Sequence, residues 1–332
     1  MSPGGPVSSG GAGEPVPGPA VNQVLVERLT ESWPRRATIR TRDFETGCPS
    51  EYEPSVPDYP VALLPFAGHP TFLAASPAQR QAVLTGAWLV YNQRVISAEE
   101  EVANPALTAI MHGSFPGAEE PRLRQAVQQT LIDEHFHTYM HMLAVERTCD
   151  LRQAGAWPET PPSVTLRRFQ AYRSRGASGW ERNLAALAWT VVSEVSINAY
   201  LRLLSSDGSI QPLHKLVTRL HDLDESAHGR LMVEVAKSVY LHMGPEQRRA
   251  FVAALGPALD SFVAHDYSAW GTVVDHAGIQ GAGEMIADCA HDPASGTLVR
   301  DFSGLARLAE ELGVTDQLGF DFPAPASASV AG

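Results

Sequence analysis

Apolar residues recur along most of this 332-residue chain at the three- and four-residue spacing of an amphipathic α-helix. The alternating β-branched segments and hairpin turns that indicate strands do not stand out. Long helices are predicted over 76–103, 121–149, 179–204 and 211–243, each roughly 38–48 Å long at 1.5 Å per residue. Shorter helices are predicted over 162–174, 245–275, 278–289 and 303–312. The pattern predicts an all-α fold, a four-helix bundle with additional peripheral helices.

The two ends of the chain lack this periodicity. Residues 1–20 contain six glycines and five prolines, and such a segment buries too little apolar surface to offset its ordering entropy, so we expect a disordered tail. Residues 323–332 are expected to form a flexible C-terminal tail. Because no second Pro/Gly/Ser-rich linker interrupts residues 21–322, we predict a single domain there.

Composition narrows the class of protein. The chain has 25 Lys+Arg against 37 Asp+Glu, a net charge of −12, which argues against nucleic-acid and anionic-membrane partners. Its three widely spaced cysteines exclude a disulfide framework and a cysteine-based zinc site. No apolar run approaches the roughly 20 residues of a membrane span, and the first residues do not resemble a signal peptide. We therefore expect a soluble cytoplasmic protein.

Two of the predicted long helices carry the motif Glu-x-x-His. The pairs are Glu134 with His137 and Glu225 with His228. Residues three apart lie on one face of a helix, so the carboxylate and the imidazole can bind one metal ion. Random placement of the 22 glutamates and 12 histidines gives about 0.8 such pairs, so the two motifs alone are weak evidence.

The other two long helices each direct a glutamate into an apolar stripe. In the first helix, the stripe Leu84, Trp88, Tyr91, Val95 continues to Glu99, whereas Glu100 is intermediate in phase and Glu101 lies on the solvated face. In the third, the stripe is Leu187, Val191, Glu194, Asn198, Leu201. A lone buried glutamate is costly unless it is paired or binds a metal. One glutamate from each of two helices, with Glu-x-x-His from each of two others, is the ligand arrangement of carboxylate-bridged dinuclear iron or manganese bundles.

The level of these residues along the bundle supports that arrangement for one helix pair. If the third and fourth helices are antiparallel across the turn at Asp207-Gly208, Glu194 and Glu225 both lie roughly 15–20 Å from it. The long connection over 104–120 leaves the relative level of Glu99 and Glu134 open.

Further residues near the motifs are candidates for the same site. His221 precedes Glu225 by four residues and His141 follows His137 by four, and spacing alone does not choose between these two histidines. Asp133 and Asp224 each precede a motif histidine by four and are candidates to orient the imidazoles of the ligands. A strand-linked Gly-rich phosphate loop, a Gly-x-Ser-x-Gly motif and a His-Glu-x-x-His motif do not occur.

Several runs in and around these motifs resemble the diiron arylamine N-oxygenase family. They are Val56–Pro60, Leu84–Gly86, Tyr91–Ile96, the two Asp-Glu-x-x-His motifs, Thr138–Met142 and Leu298–Gly304. The resemblance covers roughly residues 25–323 and implies a ferritin-like bundle, usually a homodimer. It implies metal ligation by Glu99, Glu134, His137, Glu194, His221, Glu225 and His228, which favours His221 over His141.

The resemblance also implies a substrate pocket near Tyr91, Arg94, Asn198 and Arg300, although the helical phase of Arg94 predicts a solvated residue. Asn198 and Arg300 would hold a polar para-substituent, since an arginine suits a carboxylate through bidentate geometry. Arg300 serves equally well as a structural ion-pair residue. The sequence leaves open whether the substrate is a p-aminobenzoate-like acid or a chloramphenicol-precursor-like amine.

The implied reaction converts an aromatic amine to a nitro compound through hydroxylamine and nitroso stages. It removes six electrons and adds two oxygens, which requires a redox metal and O2. The resemblance implies two iron ions, a peroxo-diferric intermediate that the additional histidine helps to stabilise, and a role in antibiotic-type secondary metabolism. With no flavin or nicotinamide motif visible, a separate reductase is the expected electron donor.

Three alternatives remain at this stage. One is another diiron oxygenase or desaturase with a different substrate, and the second is a ferritin-like iron-binding protein. The third, a metal-free helical interaction protein, would leave Glu99 and Glu194 unpaired in the core. The sequence does not distinguish iron from manganese.

Overall fold

The computed structural model describes residues 20–44, 52–292 and 301–323. The two predicted tails therefore lie almost entirely outside the described residues, and Arg300 lies wholly outside them. Within those ranges every regular element is helical and none is a strand, which confirms the predicted all-α class. In chain order the α-helices are α1 (Gln23–Arg36), α2 (Thr38–Thr41), α3 (Pro70–Ala74), α4 (Pro77–Ala98), α5 (Asn104–Met111), α6 (Pro121–Arg152), α7 (Val164–Arg173), α8 (Gly179–Ser196), α9 (Asn198–Ser206), α10 (Pro212–His242), α11 (Pro245–Val263), α12 (Ser268–His276), α13 (Ala282–His291) and α14 (Ser303–Leu312).

Four long helical segments form the bundle. They are α4 continued into α5, α6, α8 continued into α9, and α10. Helix α10 packs against α6, α8 and α9, while α4 packs against α6. Helix α10 approaches α8 closely at Gly229, where an added Cβ would lie 2.6 Å from the carbonyl oxygen of Glu194. Only glycine permits that approach, because every other side chain would overlap the backbone of α8.

The start of α4 follows the sequence signals, but its end does not. Ser76 forms a capping box with Gln79, and Pro77 occupies the first turn. The helical path was predicted to stop before Asn104-Pro105, and this was wrong. It continues through a π-helical turn, Glu99–Ala103, in which the Asn104 N–H donates to the carbonyl oxygen of Glu99. Pro105 then lies in the first turn of α5, where a missing N–H costs little.

Two other predicted segments are interrupted. The third long segment breaks at Ile197, between α8 and α9. The segment predicted over 245–275 is two helices, α11 and α12, separated by residues 264–267. Helix α1, which packs against α6 and α10, has no counterpart among the predicted helices; it contains Pro34, and its buried residues are Val26, Leu29 and Thr30.

The apolar core consists of two clusters. One lies among α8, α10, α11 and α14 and includes Leu187 and Val235, and the other lies among α4, α6 and α9 and includes Trp88 and Met140. The stretch Gly179–Ser206 is long and apolar enough to cross a membrane, but 67% of its most apolar window is buried inside the protein. This apolar character is explained by its place in the bundle core.

Candidate metal centre

Seven buried side chains meet between the four long segments of the bundle. Their potential ligand atoms form two groups, and within each group all atoms lie within 4.8 Å of one another. The first group is Glu99, Glu134, His137, His221 and Glu225, and the second is Glu134, Glu194, Glu225 and His228. Glu134 and Glu225 belong to both groups. Two carboxylates shared between two clusters are the arrangement expected where two metal ions are bridged.

In the first group, Glu225 lies between His137 and His221, and Glu134 lies beside His137. His137 Nδ1 lies 3.1 Å from Glu134 Oε2 and 3.6 Å from Glu225 Oε1. His221 Nε2 lies 3.3 Å from Glu225 Oε1 and 3.6 Å from Glu99 Oε1.

The second group is organised around His228. Its Nδ1 lies 2.7 Å from Glu134 Oε1, 3.1 Å from Glu225 Oε1 and 3.8 Å from Glu194 Oε2. The motif histidines therefore both present Nδ1 to the shared glutamates, whereas His221 presents Nε2.

The backbone places the two remaining glutamates at irregular points of their helices. Glu99 is the first residue of the π-helical turn and is buried, and Glu101 is exposed, as their helical phase indicated. Glu100, whose phase was intermediate, is exposed as well. π-Helical turns are frequent at functional sites because the extra residue redirects the side chains. Glu194 lies near the end of α8, where Gly229 lets α10 approach closely.

Each motif aspartate contacts the histidine of the opposite motif, not of its own helix. Asp224 Oδ2 lies 3.3 Å from Nε2 of His137, and Asp133 Oδ2 lies 3.1 Å from Nε2 of His228. An Nε2–H that donates to a carboxylate leaves Nδ1 free as a metal ligand. The outer carboxylates are held in turn by the N-terminal region, through Trp33 Nε1 to Asp133 and through Arg36 and the Thr38 N–H to Asp224.

The structure places His141 and His221 in different layers. His221 directs Nε2 toward the glutamates, and its Nδ1 lies 2.9 Å from Nε2 of His141. His141 lies behind it, with Nδ1 2.7 Å from Oδ1 of Asn92. Of the two candidates, only His221 belongs to the groups of potential ligand atoms among the described residues.

Burial and mutual repulsion divide the four glutamates into two kinds. Burial, reinforced by the neighbouring carboxylates, raises the pKa of Glu99 and of Glu194 well above the usual range. Burial opposes ionisation of Glu134 and Glu225 as well, but the adjacent histidines hold the pKa of Glu134 well below its usual value and that of Glu225 at about 2. The two shared glutamates are thus the more strongly ionised pair, as carboxylates that bind cations must be.

The donor set also fits a pair of metal ions on hydrogen-bonding grounds. Glu134 Oε1, Glu194 Oε2, Glu225 Oε2 and His221 Nε2 are buried, and their close contacts within the cluster are not aligned as hydrogen bonds among the described residues. Unpaired buried polar atoms are costly, and cations placed among them would remove that cost. Carboxylate oxygens with imidazole nitrogens suit iron or manganese.

A cavity of about 270 Å³ leads from the surface to this cluster. Glu99, Glu194, His221 and Glu225 line its inner end. Its walls are mostly apolar or aromatic, including Ala87, Val90, Tyr91 and Trp270. The hydroxyl of Tyr91 is buried and has no hydrogen-bond partner in the described part of the chain.

The structure places some of the predicted pocket residues on the cavity wall and one of them elsewhere. Tyr91 lines the cavity, and so does Arg94, whose phase predicted a solvated position; its guanidinium is partly buried and lies 3.0 Å from Asp266. Asn198 does not line this cavity. It lies in a separate groove, just past the break at Ile197, and accepts a hydrogen bond from Ser226.

Sequence reasoning missed three contributors. Asn92 is an amide in the buried stretch of α4, a signal that was available. Trp33 and Asp266 contact the site's residues across 100 and 172 positions of sequence, and no local pattern links them.

A model of the p-aminobenzoate N-oxygenase AurF family matches residues 19–313. A 4-aminobenzoate N-oxygenase of Streptomyces thioluteus is 46% identical to this chain over 303 residues, which cover 91% of this chain and 90% of that protein.

Proposed function

The chain belongs to the p-aminobenzoate N-oxygenase family, and on that premise we propose that it oxidises the nitrogen of a primary aromatic amine with O2. The product is the nitro compound, reached through hydroxylamine and nitroso stages. The observation that carries this proposal is a cavity that ends at two glutamates shared between two groups of metal-ligand atoms.

The seven residues of the two groups would hold the metal ions, and Glu134 and Glu225 belong to both groups. Two iron ions bound there would supply the electrons for activating O2, chemistry that side chains do not provide. Asp133 and Asp224 would fix the orientation of the motif histidines through Nε2–H.

The cavity suits a flat aromatic substrate whose amine faces the cluster. Apolar and aromatic walls exclude water from the ring, and the inner end brings the amine beside Glu99 and Glu225. The Tyr91 hydroxyl, buried and unpaired among the described residues, would donate a hydrogen bond to the reacting nitrogen or its oxygen. Holding the amine in one orientation lowers the entropic cost of each oxidation step.

The substituent opposite the amine would face Arg94. Among the described residues that line the cavity, Arg94 is the only arginine or lysine. Its Nε is buried without a hydrogen-bond partner in the described ranges, although its Nη2 bonds Asp266. A para-carboxylate would accept from this free donor, so we propose a 4-aminobenzoate-like acid as the substrate. Arg300 remains a predicted contact.

The wider setting is proposed from the family alone. A separate reductase would deliver electrons, since O2 activation needs an external donor. We further propose a cytoplasmic homodimer that acts in antibiotic-type secondary metabolism.

The test is a single-turnover and a multiple-turnover assay. The protein is loaded with Fe(II) without air, exposed to O2 with 4-aminobenzoate and a chemical reductant, and the products are identified by mass spectrometry. We expect 4-hydroxylaminobenzoate to appear first and 4-nitrobenzoate to accumulate. The neutral analogue 4-aminobenzamide serves as the matched substrate and is expected to react with a higher KM.

Two results would contradict the proposal. Oxidation of ring or alkyl carbon with the amine left intact would indicate a diiron oxygenase of another specificity. Continued uptake of iron far beyond two ions per chain, without any oxidised amine, would indicate iron storage.

A further inference from the structure

A chain of hydrogen bonds runs from α4 through α6 to α10, one layer behind the metal centre. It links the carbonyl oxygen of Trp88, the side chain of Asn92, His141 and His221. The distances are 2.7 Å from Asn92 Nδ2 to the Trp88 oxygen, 2.7 Å from His141 Nδ1 to Asn92 Oδ1, and 2.9 Å between His141 Nε2 and His221 Nδ1. Asn92, His141 and His221 are all buried.

The first link fixes the orientation of the Asn92 amide. The Trp88 carbonyl oxygen can only accept, so the group that faces it must be the NH2 of Asn92. The amide oxygen then faces His141, and it too can only accept. The proton between these two residues is therefore on Nδ1 of His141.

The second link fixes the proton on His221. If His141 also carried a proton on Nε2, it would be a buried imidazolium, and its contacts are Asn92, His221 and the ring of Tyr91, with no carboxylate among the described residues. Burying an unpaired charge is costly. His141 Nε2 therefore accepts, and His221 Nδ1–H donates to it.

We infer that Asn92 and His141 are positioning residues that hold His221 in the Nδ1–H tautomer, so that its Nε2 lone pair faces Glu99 and Glu225. The inference rests on the proposed metal centre for its purpose. Its physical content, the position of one proton, is independent of which amine is oxidised. The rarer Nδ1–H tautomer needs such a partner, because a hydrogen bond at one ring nitrogen determines which nitrogen is left to bind a metal.

Loss of the Asn92 amide would reverse the direction of the hydrogen bond between His141 and His221. In Asn92→Leu, Nδ1–H of His141 has no acceptor, so His141 is free to place its proton on Nε2 and donate to His221. His221 would then carry its own proton on Nε2, where it blocks metal binding. Gln93→Leu removes the neighbouring amide, which contacts Thr160 and is not part of this chain of hydrogen bonds, and is the matched control.

The experiment is long-range 1H–15N correlation spectroscopy of the metal-free protein labelled with [15N]histidine, with His141→Gln and His221→Gln used to assign the two rings. In the wild-type protein and in Gln93→Leu we expect both rings to be protonated on Nδ1. In Asn92→Leu we expect the Nε2–H forms to dominate. A wild-type His221 protonated on Nε2 would overturn the inference, and so would an unchanged tautomer in folded Asn92→Leu.

A metal titration provides the second measurement. With Co(II) as the probe, Asn92→Leu is expected to weaken one of two binding sites about 10- to 100-fold and to leave the other unchanged, while Gln93→Leu retains both. Equal affinities in the wild type and Asn92→Leu would contradict the positioning role. If the wild-type protein shows the Nδ1–H tautomers but oxidises no arylamine, the proposed function fails and this inference stands.

Discussion

Asp224 lies 3.3 Å from Nε2 of His137, a residue of the opposing helix, although His228 is only four positions away on its own helix. Asp133 makes the reciprocal contact with His228 at 3.1 Å. Each aspartate therefore joins α6 to α10 across the centre of the bundle. The aspartate of each Asp-Glu-x-x-His motif therefore contacts the histidine of the other motif.

This crossing predicts which metal ion each aspartate affects. Asp224→Asn should weaken the ion bound by His137, and Asp133→Asn the ion bound by His228, each by about 10- to 100-fold, because the imidazole loses a charged acceptor. Two-site Co(II) titrations followed by absorption spectroscopy measure this. Weakening of the site formed by the histidine of the same helix would contradict the crossed arrangement.

Glu194→Gln should stabilise the metal-free protein and weaken its metal binding. Burial and the neighbouring Glu225 raise the pKa of Glu194 in the folded protein. The stability that its protonated form contributes is therefore lost as pH rises, and at neutral pH this carboxyl group destabilises the metal-free protein. The neutral amide should raise the free energy of unfolding of the metal-free protein by on the order of 1–2 kcal/mol. The same change should weaken metal binding.

Thermal unfolding of both forms checks this prediction. The melting temperature of metal-free Glu194→Gln should exceed that of the wild type by roughly 2–5 °C, and the order should reverse after loading with metal. Exposed Glu100→Gln is the control and should change neither form. A metal-free Glu194→Gln less stable than the wild type would argue against crowded charge at this position.

Gly229→Ala should separate α8 from α10 and disturb the metal centre. The new methyl group would lie 2.6 Å from the carbonyl oxygen of Glu194, a backbone atom that has no other rotamer. We expect a loss of about 1–3 kcal/mol in the free energy of unfolding and weaker metal binding. In the control Gly283→Ala, an added Cβ meets no described atom within 4 Å. A fully stable, metal-binding Gly229→Ala would show that the contact is not tight.

His214 should make the fold sensitive to acid. Burial lowers its pKa from 6.5 to about 4, and the ring stacks on Trp88 at 4.0 Å with Nδ1 2.8 Å from the Asp58 carbonyl oxygen. The unfolded chain takes up the proton first, so this contribution to stability is complete above pH 6.5 and is lost as pH falls toward 4. The full loss is on the order of 3 kcal/mol.

Denaturant unfolding at several pH values tests this. The difference in free energy of unfolding between the wild type and His214→Gln should shrink steadily between pH 6.5 and pH 4. A difference that stays constant across that window would show that His214 does not titrate as burial requires.

Arg94→Gln should change affinity more than turnover. The free Nε donor is expected to bind a para-carboxylate, and a hydrogen bond to a charged group contributes about 1.5–3 kcal/mol. We expect KM for 4-aminobenzoate to rise about 10- to 100-fold with kcat little changed. KM for 4-aminobenzamide should change much less. Equal effects on both substrates would place Arg94 in a structural role with Asp266.

The features that could be predicted from the sequence are those that depend on residues within one helix. The 3.6-residue periodicity gave the all-α class, and the phase of the stripes correctly predicted that Glu99 and Glu194 are buried. Both features repeat within one helix, so a single sequence contains them. The two motifs likewise lie within single helices.

The remainder depended on backbone irregularity and on distant contacts. Side-chain periodicity does not reveal a π-helical turn, so the continuation past Asn104 was missed. Periodicity also placed Asn198 in the buried stripe, whereas the structure places it in a separate groove. The solvated phase of Arg94 was misleading because its long side chain reaches Asp266, 172 positions away. The third histidine was ambiguous for the same reason, since the contact between His141 and His221 crosses 80 positions.

The most direct test of the account is a crystal structure of the iron-loaded protein with anomalous data collected at the iron edge. We predict two anomalous peaks per chain, about 3.5–4 Å apart, with Glu134 and Glu225 bound to both ions, Glu99 and His221 on one and Glu194 and His228 on the other. A single peak, or two peaks without a shared glutamate, would contradict it.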